Sequence, residues 1–236
     1  MSKKWLLLLL LPVCITGCVP VDSINPLYTE KNVIFDPVLV GKWGGPNADE
    51  GGLRFERTDD DTYQMVMTEK KSSGWAKESI FVAHLLSLGG EKYLDVEPRE
   101  FETSSHLLLF RTDPSKKGSK FEPTLERIGS GVYLEVLGPN PGKGTSQELQ
   151  VKVRPAHWIF KVYLSEKSLS LSYLDREWVQ EAIDKKLVQA RHMKARDENT
   201  LNWVLSGSTA DLQQFVVQHA DDPGAFDAGM VLSKIA

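Results

Sequence analysis

Cysteine and histidine are the residue types whose placement bears most directly on chemistry in this chain. The two cysteines, Cys14 and Cys18, lie near the N-terminus. Because no cysteine follows residue 18, the rest of the chain can supply no disulfide, thiolate metal ligand or cysteine nucleophile. The histidines are dispersed, and no two have the spacing of a helical or strand metal-binding pair: His84, His106, His157, His192 and His219. The sequence therefore predicts no catalytic, metal or cofactor-binding set, and zinc would need three distant histidines to converge.

Serine and carboxylate chemistry is no better supported. The chain has no Gly-x-Ser-x-Gly elbow and, after Cys18, no Ser-x-x-Lys pair. The acidic runs at 59–61 and 221–222 stand where turns belong, and Gly142-Lys143-Gly144-Thr145 lacks the spacing of a phosphate-binding loop. Trp75 is the tryptophan predicted to lie in a loop, where it could contact a partner. Any hydrolytic site would have to be assembled from scattered His, Asp and Ser residues.

The N-terminus has the composition of a targeting segment. Lys3 and Lys4 precede an apolar run from Trp5 to Ile15, which is too short for a membrane-spanning helix. Two small residues, Thr16 and Gly17, then precede Cys18. This order of a basic region, an apolar core and small residues predicts a signal peptide over residues 1–17.

The four residues Ile15-Thr16-Gly17-Cys18 resemble the lipobox of bacterial lipoproteins. The resemblance implies cleavage before Cys18 and attachment of lipid, such as palmitate, to its sulfur. Val19 follows, and it is not the aspartate that retains such proteins at the inner membrane of enteric bacteria. The expected location is the cell envelope, lipid-anchored at the outer membrane and facing the periplasm. No later segment is long and apolar enough to span a bilayer, so lipid is the predicted membrane attachment.

The charge of the chain argues against nucleic acid as a partner. The formal net charge is −4, and removal of residues 1–17 would take Lys3 and Lys4 with it. The remaining Lys and Arg residues form no extended cluster of the kind that binds phosphate backbones. We therefore expect no nucleic-acid partner.

Residues 18–36 are predicted to be a tether, although their apolar side chains favour partial packing on the body. Residues 37–174 then show short segments of period-2 alternation separated by turn residues, which predict an antiparallel β domain. Trp158, Phe160, Val162 and Leu164 share one face, with Lys161 on the other. Gly41-Lys42-Trp43 is similar to the lipocalin first-strand signature, which implies a closed barrel; the alternation alone leaves a barrel or an open sheet.

Residues 175–236 are predicted to be a helical C-terminal part packed on the β domain. Asp175 can cap a helix, and Ser208 with Asp211 has the form of a capping box for a second one. Apolar residues extend the first helical pattern through Leu187 to Ala190, whereas residues 225–236 are weakly patterned. The predicted fold class is α+β, with an antiparallel sheet or barrel-like meander followed by two C-terminal helices.

Three stretches together resemble a family of uncharacterised bacterial envelope lipoproteins: residues 25–30 (Asn-Pro-Leu-Tyr-Thr-Glu), 35–43 and 212–221. The resemblance implies export and lipidation at Cys18, and no activity. The leading hypothesis is a lipid-anchored, non-enzymatic module that binds an apolar ligand, an envelope ligand or a protein partner. The alternatives are an envelope-associated hydrolase and a purely structural envelope protein.

Overall fold

A computed structural model describes residues 20–45, 51–58, 62–70, 76–99, 124–129, 132–139, 149–187, 190–197, 200–226 and 229–235. Several sequence predictions lie outside these ranges: the signal peptide, Cys18 and Val19, the acidic run at 59–61, Trp75, His106 and the loop at 142–145.

The described part of the chain is mostly β-structure. Its strands are β1 (Asp22–Ser23), β2 (Gly41–Gly44), β3 (Gly51–Arg57), β4 (Tyr63–Lys70), β5 (Ala76–Leu88), β6 (Glu91–Pro98), β7 (Thr124–Gly129), β8 (Val132–Pro139), β9 (Leu149–Pro155), β10 (His157–Leu164), β11 (Ser168–Tyr173), β12 (His192–Asp197), β13 (Thr200–Leu205) and β14 (Gly229–Ile235). The α-helices are α1 (Arg176–Asp184) and α2 (Thr209–Gln218), and a 3-10 turn covers Pro37–Leu39.

Eight strands form a closed antiparallel barrel in the order β2-β3-β4-β5-β6-β10-β11-β14, with β14 pairing back onto β2. Chain order is kept around the barrel, so it is an up-and-down meander with two insertions. The first insertion holds β7, β8 and β9, and the second holds α1, β12, β13 and α2. A closed barrel leaves no unpaired edge strand, which removes a site of edge-to-edge aggregation.

A second sheet branches from the barrel at β10. The first residues of β10 pair with β1, which continues through β13, β12, β7 and β8 to β9. Asp22 lies opposite Trp158 in this branch, and beside Val204 of β13 in a parallel pair. The short β1 therefore joins the barrel to the second sheet.

The barrel interior is filled by side chains that alternate along its strands. Phe160 and Val162 of β10 point inward, while Ile159 and Lys161 lie on the outer wall, which confirms the predicted alternation. Aromatic rings occupy much of the interior: Trp43, Phe55, Tyr63, Phe81, Phe160 and Tyr173. The barrel is thus a packed core.

The two helices cover one part of the outer wall. Leu86, Tyr93 and Ile159 project outward from β5, β6 and β10 into an apolar layer shared with both helices. Asp175 accepts a hydrogen bond from Trp178 N at 2.7 Å, and Ser208 forms the predicted capping box with Asp211. Both predicted caps are confirmed.

The structure differs from the sequence prediction in three places after residue 174. The part predicted to be helical contains β12, a strand that was not predicted. The first helix ends at Asp184, because Lys186 takes a φ of +57°, and Leu187 is left 71% exposed. Residues 229–235, predicted as a weakly patterned tail, form the strand that closes the barrel. Gly229 permits this closure, since a Cβ there would lie 2.1 Å from Leu171 O of β11. The fold is therefore mainly β, with both helices in the C-terminal part of the sequence.

Residues 20–36 pack on the body from their first described position. Val21 and Leu27 are completely buried, and Val21 N donates to Leu174 O at 3.0 Å. None of the helices in the described ranges is both long and apolar enough to cross a membrane.

Candidate functional site

A cluster of ionisable side chains lies on the outer wall of the barrel, where β5, β6 and β10 are neighbours. Strand alternation turns His84, Asp95, Glu97 and His157 away from the apolar interior. His84 is the cross-strand partner of Asp95. The structure therefore brings two of the dispersed histidines, His84 and His157, to the same cluster.

Asp95 is the centre of this acid–histidine cluster. It is completely buried, and each of its carboxylate oxygens has a partner. Oδ1 lies 2.7 Å from His157 Nδ1, and Oδ2 accepts the backbone N–H of Leu27 at 2.5 Å. His157 Nε2 lies 3.6 Å from Glu97 Oε2. A buried carboxylate with two such partners is satisfied, so the cluster is a stable part of the fold.

The electrostatics of the cluster follow from this geometry. Burial by itself lowers the pKa of His157, but the hydrogen bond and charge of Asp95, with the charge of Glu97, outweigh it and raise the pKa. Burial also raises the pKa of Glu97, an effect that the charge of His157 opposes. His157 is therefore stabilised as an imidazolium between two carboxylates.

His84 has a different environment from His157. Its ring stacks on the ring of Tyr28 with centroids 3.6 Å apart, and its Nδ1 is buried without a hydrogen-bond partner. Burial lowers the pKa of His84, which favours the neutral imidazole. The two histidines of the cluster thus prefer opposite protonation states.

The segment Asn25-Pro26-Leu27-Tyr28, here called the NPLY segment, lies over this cluster and ties it to α2. Asn25 Nδ2 donates to Gly207 O at 2.9 Å, and Thr209 Oγ1 donates to Pro26 O at 2.8 Å. Gln213 Nε2 donates to Leu27 O at 2.8 Å. The segment that carries the resemblance to envelope lipoproteins is therefore a structural clamp between the barrel wall and α2.

A second buried carboxylate, Asp22, holds the chain four residues after Cys18. Its oxygens accept hydrogen bonds from Tyr133 Oη and, at 2.8 Å, from Trp158 Nε1. Arg176 Nη2 lies 3.6 Å from Asp22 Oδ2 and donates to Pro20 O at 3.2 Å. The start of the body is thereby fixed to strands from both sheets and to α1.

Neither Asp22 nor Asp95 was singled out by the sequence. The available signal for Asp95 was a carboxylate within the strand segment Tyr93 to Val96, all four residues of which are buried. An isolated aspartate in such a segment requires a partner, but its partners come from β10 and from residue 27. Sequence spacing cannot show these long-range contacts.

A separate concavity lies beside the two helices. An open groove of about 1120 Å³ runs between the end of α1, the length of α2 and the start of β12. Its apolar lining includes Ile183, Leu187, Trp203 and Phe215. Asp184, Lys186, Arg191 and Asp211 supply charges of both signs at its border. We call this concavity the helix groove.

Two histidines that the sequence left unassigned, His192 and His219, line the helix groove. His192 Nδ1 lies 2.7 Å from Ala190 O, and His219 Nδ1 lies 2.6 Å from Asp222 Oδ2. Because a carbonyl oxygen only accepts, Nδ1 of His192 carries the proton and its Nε2 is an acceptor in the neutral ring. His219 also borders a smaller depression of about 330 Å³ beside Trp178.

Within the described ranges, no three His, Cys, Asp or Glu side chains are grouped so as to hold a metal ion. Comparisons of the chain with protein-family models, with curated proteins and with solved structures each found no match. The function must therefore be argued from the residues themselves.

Proposed function

We propose that this protein is a lipid-anchored envelope protein whose body binds a protein partner in the helix groove, without catalysis. The anchor is Cys18, on the resemblance of residues 15–18 to a lipobox. Binding rests on one observation: a concavity of about 1120 Å³ lies outside a barrel whose interior is filled by its own side chains.

The chemistry of the helix groove favours a polypeptide over a small ligand. Small-molecule sites are clefts or cavities that bury most of the ligand surface, whereas this groove is partly open to solvent. Leu187 is 71% exposed at its edge, and aromatic and aliphatic side chains line its floor. An apolar centre with a charged border is the usual composition of a protein interface. The partner is a segment with apolar anchors flanked by charges of both signs.

An envelope hydrolase is the second candidate, and a specific contact favours it. His157 lies against both Asp95 and Glu97, and histidine between carboxylates is an acid–base arrangement. It ranks second because Asp95 is fully buried, and one of its oxygens is taken by the backbone of Leu27. His157 is itself only 4% exposed, so substrate has no described path to it.

Site-specific photo-crosslinking in bacteria producing the full chain tests the binding proposal. A photo-reactive amino acid at Leu187 should give a discrete crosslinked species, and the same group at Val231, a 66% exposed residue of β14, should not. The captured protein, once purified, should form a stoichiometric complex that Leu187→Glu weakens at least about tenfold. Equal crosslinking at both positions, or lipid as the adduct at Leu187, would contradict a protein partner.

The anchor and the hydrolase alternative have separate tests. Cys18→Ala should abolish labelling by radioactive palmitate and leave an unprocessed precursor. Hydrolysis of an envelope substrate that is lost in His157→Gln but kept in Leu187→Glu would replace the binding proposal with the enzymatic one.

A further inference from the structure

We infer that the wall of the body around Pro20, the end of β11 and the start of α1 lies against the lipid headgroups of the membrane. This inference rests on the proposed lipid attachment at Cys18. It identifies the surface that meets the bilayer. That surface determines how the barrel and the helix groove are oriented relative to the membrane.

The first described residue of the body is already part of the fold. Pro20 forms an antiparallel bridge with Asp175, and Pro20 O accepts a hydrogen bond from Arg176. Val21 is completely buried, and Asp22 is held by Tyr133 and Trp158. The chain is therefore not free to swing at residue 20.

The distance from this fixed point to the lipid is short. Consecutive Cα atoms are about 3.8 Å apart, so Cys18 lies within about 7.6 Å of Pro20, whatever path the chain takes. The headgroup region of each leaflet is about 5–7 Å thick. A body held at residue 20 therefore lies at the surface of that region when the Cys18 sulfur carries acyl chains that are buried in the bilayer.

The barrel order identifies the opposite, membrane-distal side. Pro20 lies beside Asp175 at the end of β11, and β10 precedes β11 in the barrel. Counting around the eight strands, β4 lies diametrically across from β11, and β3 is the neighbour of β4. Glu56, an outward residue of β3, is therefore on the far wall, and Glu177, exposed in the first turn of α1, is on the near wall.

The helix groove begins at the far end of α1 from the anchor. A helix of 9 residues is about 13 Å long, so the groove lies within a few nanometres of the leaflet. The partner that binds the groove must reach this distance from the leaflet, as a membrane protein or another anchored protein would.

Fluorescence quenching in vesicles tests the orientation. In the lipidated mature chain, the one cysteine, Cys18, carries lipid on its sulfur. Glu177→Cys and Glu56→Cys therefore each add a single free thiol that a fluorophore can label. In phosphatidylglycerol–phosphatidylcholine vesicles containing nitroxide-headgroup lipid, the fluorophore at 177 should be quenched severalfold more than the one at 56. Gln180→Cys, also exposed on α1, provides a second near position.

A spacer variant provides the control. A 15-residue Gly-Ser insertion between Val19 and Pro20 adds an average reach of about 20 Å and should bring quenching at 177 down to the level at 56. Equal quenching at 177 and 56 without the spacer, in protein that incorporates palmitate, would overturn the inference and leave the anchor intact. Absence of palmitate in the unsubstituted chain would overturn both.

Discussion

Lys234 and Trp43 are direct cross-strand partners at the seam where the last barrel strand meets the first. Lys234 Nζ lies 5.1 Å from the centroid of the indole ring and donates to Val38 O at 2.8 Å. Trp43 Nε1 donates to Leu39 O at 2.8 Å. The pair therefore joins the seam to the 3-10 turn at Pro37–Leu39, and this turn is held at two carbonyl oxygens.

Trp43→Ala should lower the free energy of unfolding by about 3–5 kcal/mol, since the side chain is completely buried in the barrel. Lys234→Met keeps most of the stem over the indole and removes the charge, so it should cost about 0.5–2 kcal/mol. Urea unfolding of both variants measures the two effects. An unchanged midpoint for Trp43→Ala would show that the barrel does not depend on its interior packing.

Asp95→Ala should cost about 3–5 kcal/mol, because it leaves the imidazolium of His157 and the N–H of Leu27 without their acceptor. Residues 20–36 should also become more sensitive to protease under native conditions, because the NPLY segment loses its contact with β6. Glu91→Ala, on an intermediate-exposure residue of the same strand, is the matched control. Equal protection of the segment in both variants would argue against the clamp.

The acid–histidine cluster should make stability depend on pH in two opposite senses around the ordinary histidine pKa of 6.5. The raised pKa of His157 contributes stability below 6.5, and this contribution is lost as the pH rises through the raised value. The lowered pKa of His84 contributes stability above 6.5, and this contribution is lost as the pH falls through the lowered value.

Urea unfolding of the unsubstituted chain and of His157→Gln, from about pH 5 to 9, separates these effects. The stability difference between the two proteins should be largest below 6.5 and should shrink as the pH rises. The corresponding comparison with His84→Gln should give a difference that shrinks on acidification. A difference for His157→Gln that grows above neutral pH would contradict the ion-pair assignment.

Ser208→Ala should cost about 1 kcal/mol, since it removes the side-chain half of the capping box at the start of α2. Thermal unfolding measures this cost. Ser168→Ala, at an exposed position of β11, should stay within about 0.5 kcal/mol of the original chain. Similar losses in both variants would mean that the cap does not stabilise α2.

Local patterns predicted the local structure well. Alternation predicted the inward face of β10, and side-chain types predicted both helix caps, because these depend on neighbours a few residues away. The closing strand was missed because β14 has one buried position, Leu232, and so shows no alternating pattern. The role of Asp95 was missed because its partners lie 62 and 68 residues away in the chain.

The candidate groove was also beyond the reach of the sequence pattern. The periodicity continued through Leu187 to Ala190, whereas the positive φ of Lys186 ends the helix earlier and leaves Leu187 at the edge of the groove. A periodic apolar residue has the same spacing whether it faces a core or an open surface. Only the packing of α1, α2 and β12 distinguishes the two.

The pairing of β14 with β2 has a consequence for biosynthesis. The barrel cannot close until residues 229–235 are available, so a nascent chain that has not reached them leaves β2 and β11 as open edges. Pairing across so long a stretch of sequence also makes closure slow. The barrel of such a chain therefore stays open until residues 229–235 have been synthesised.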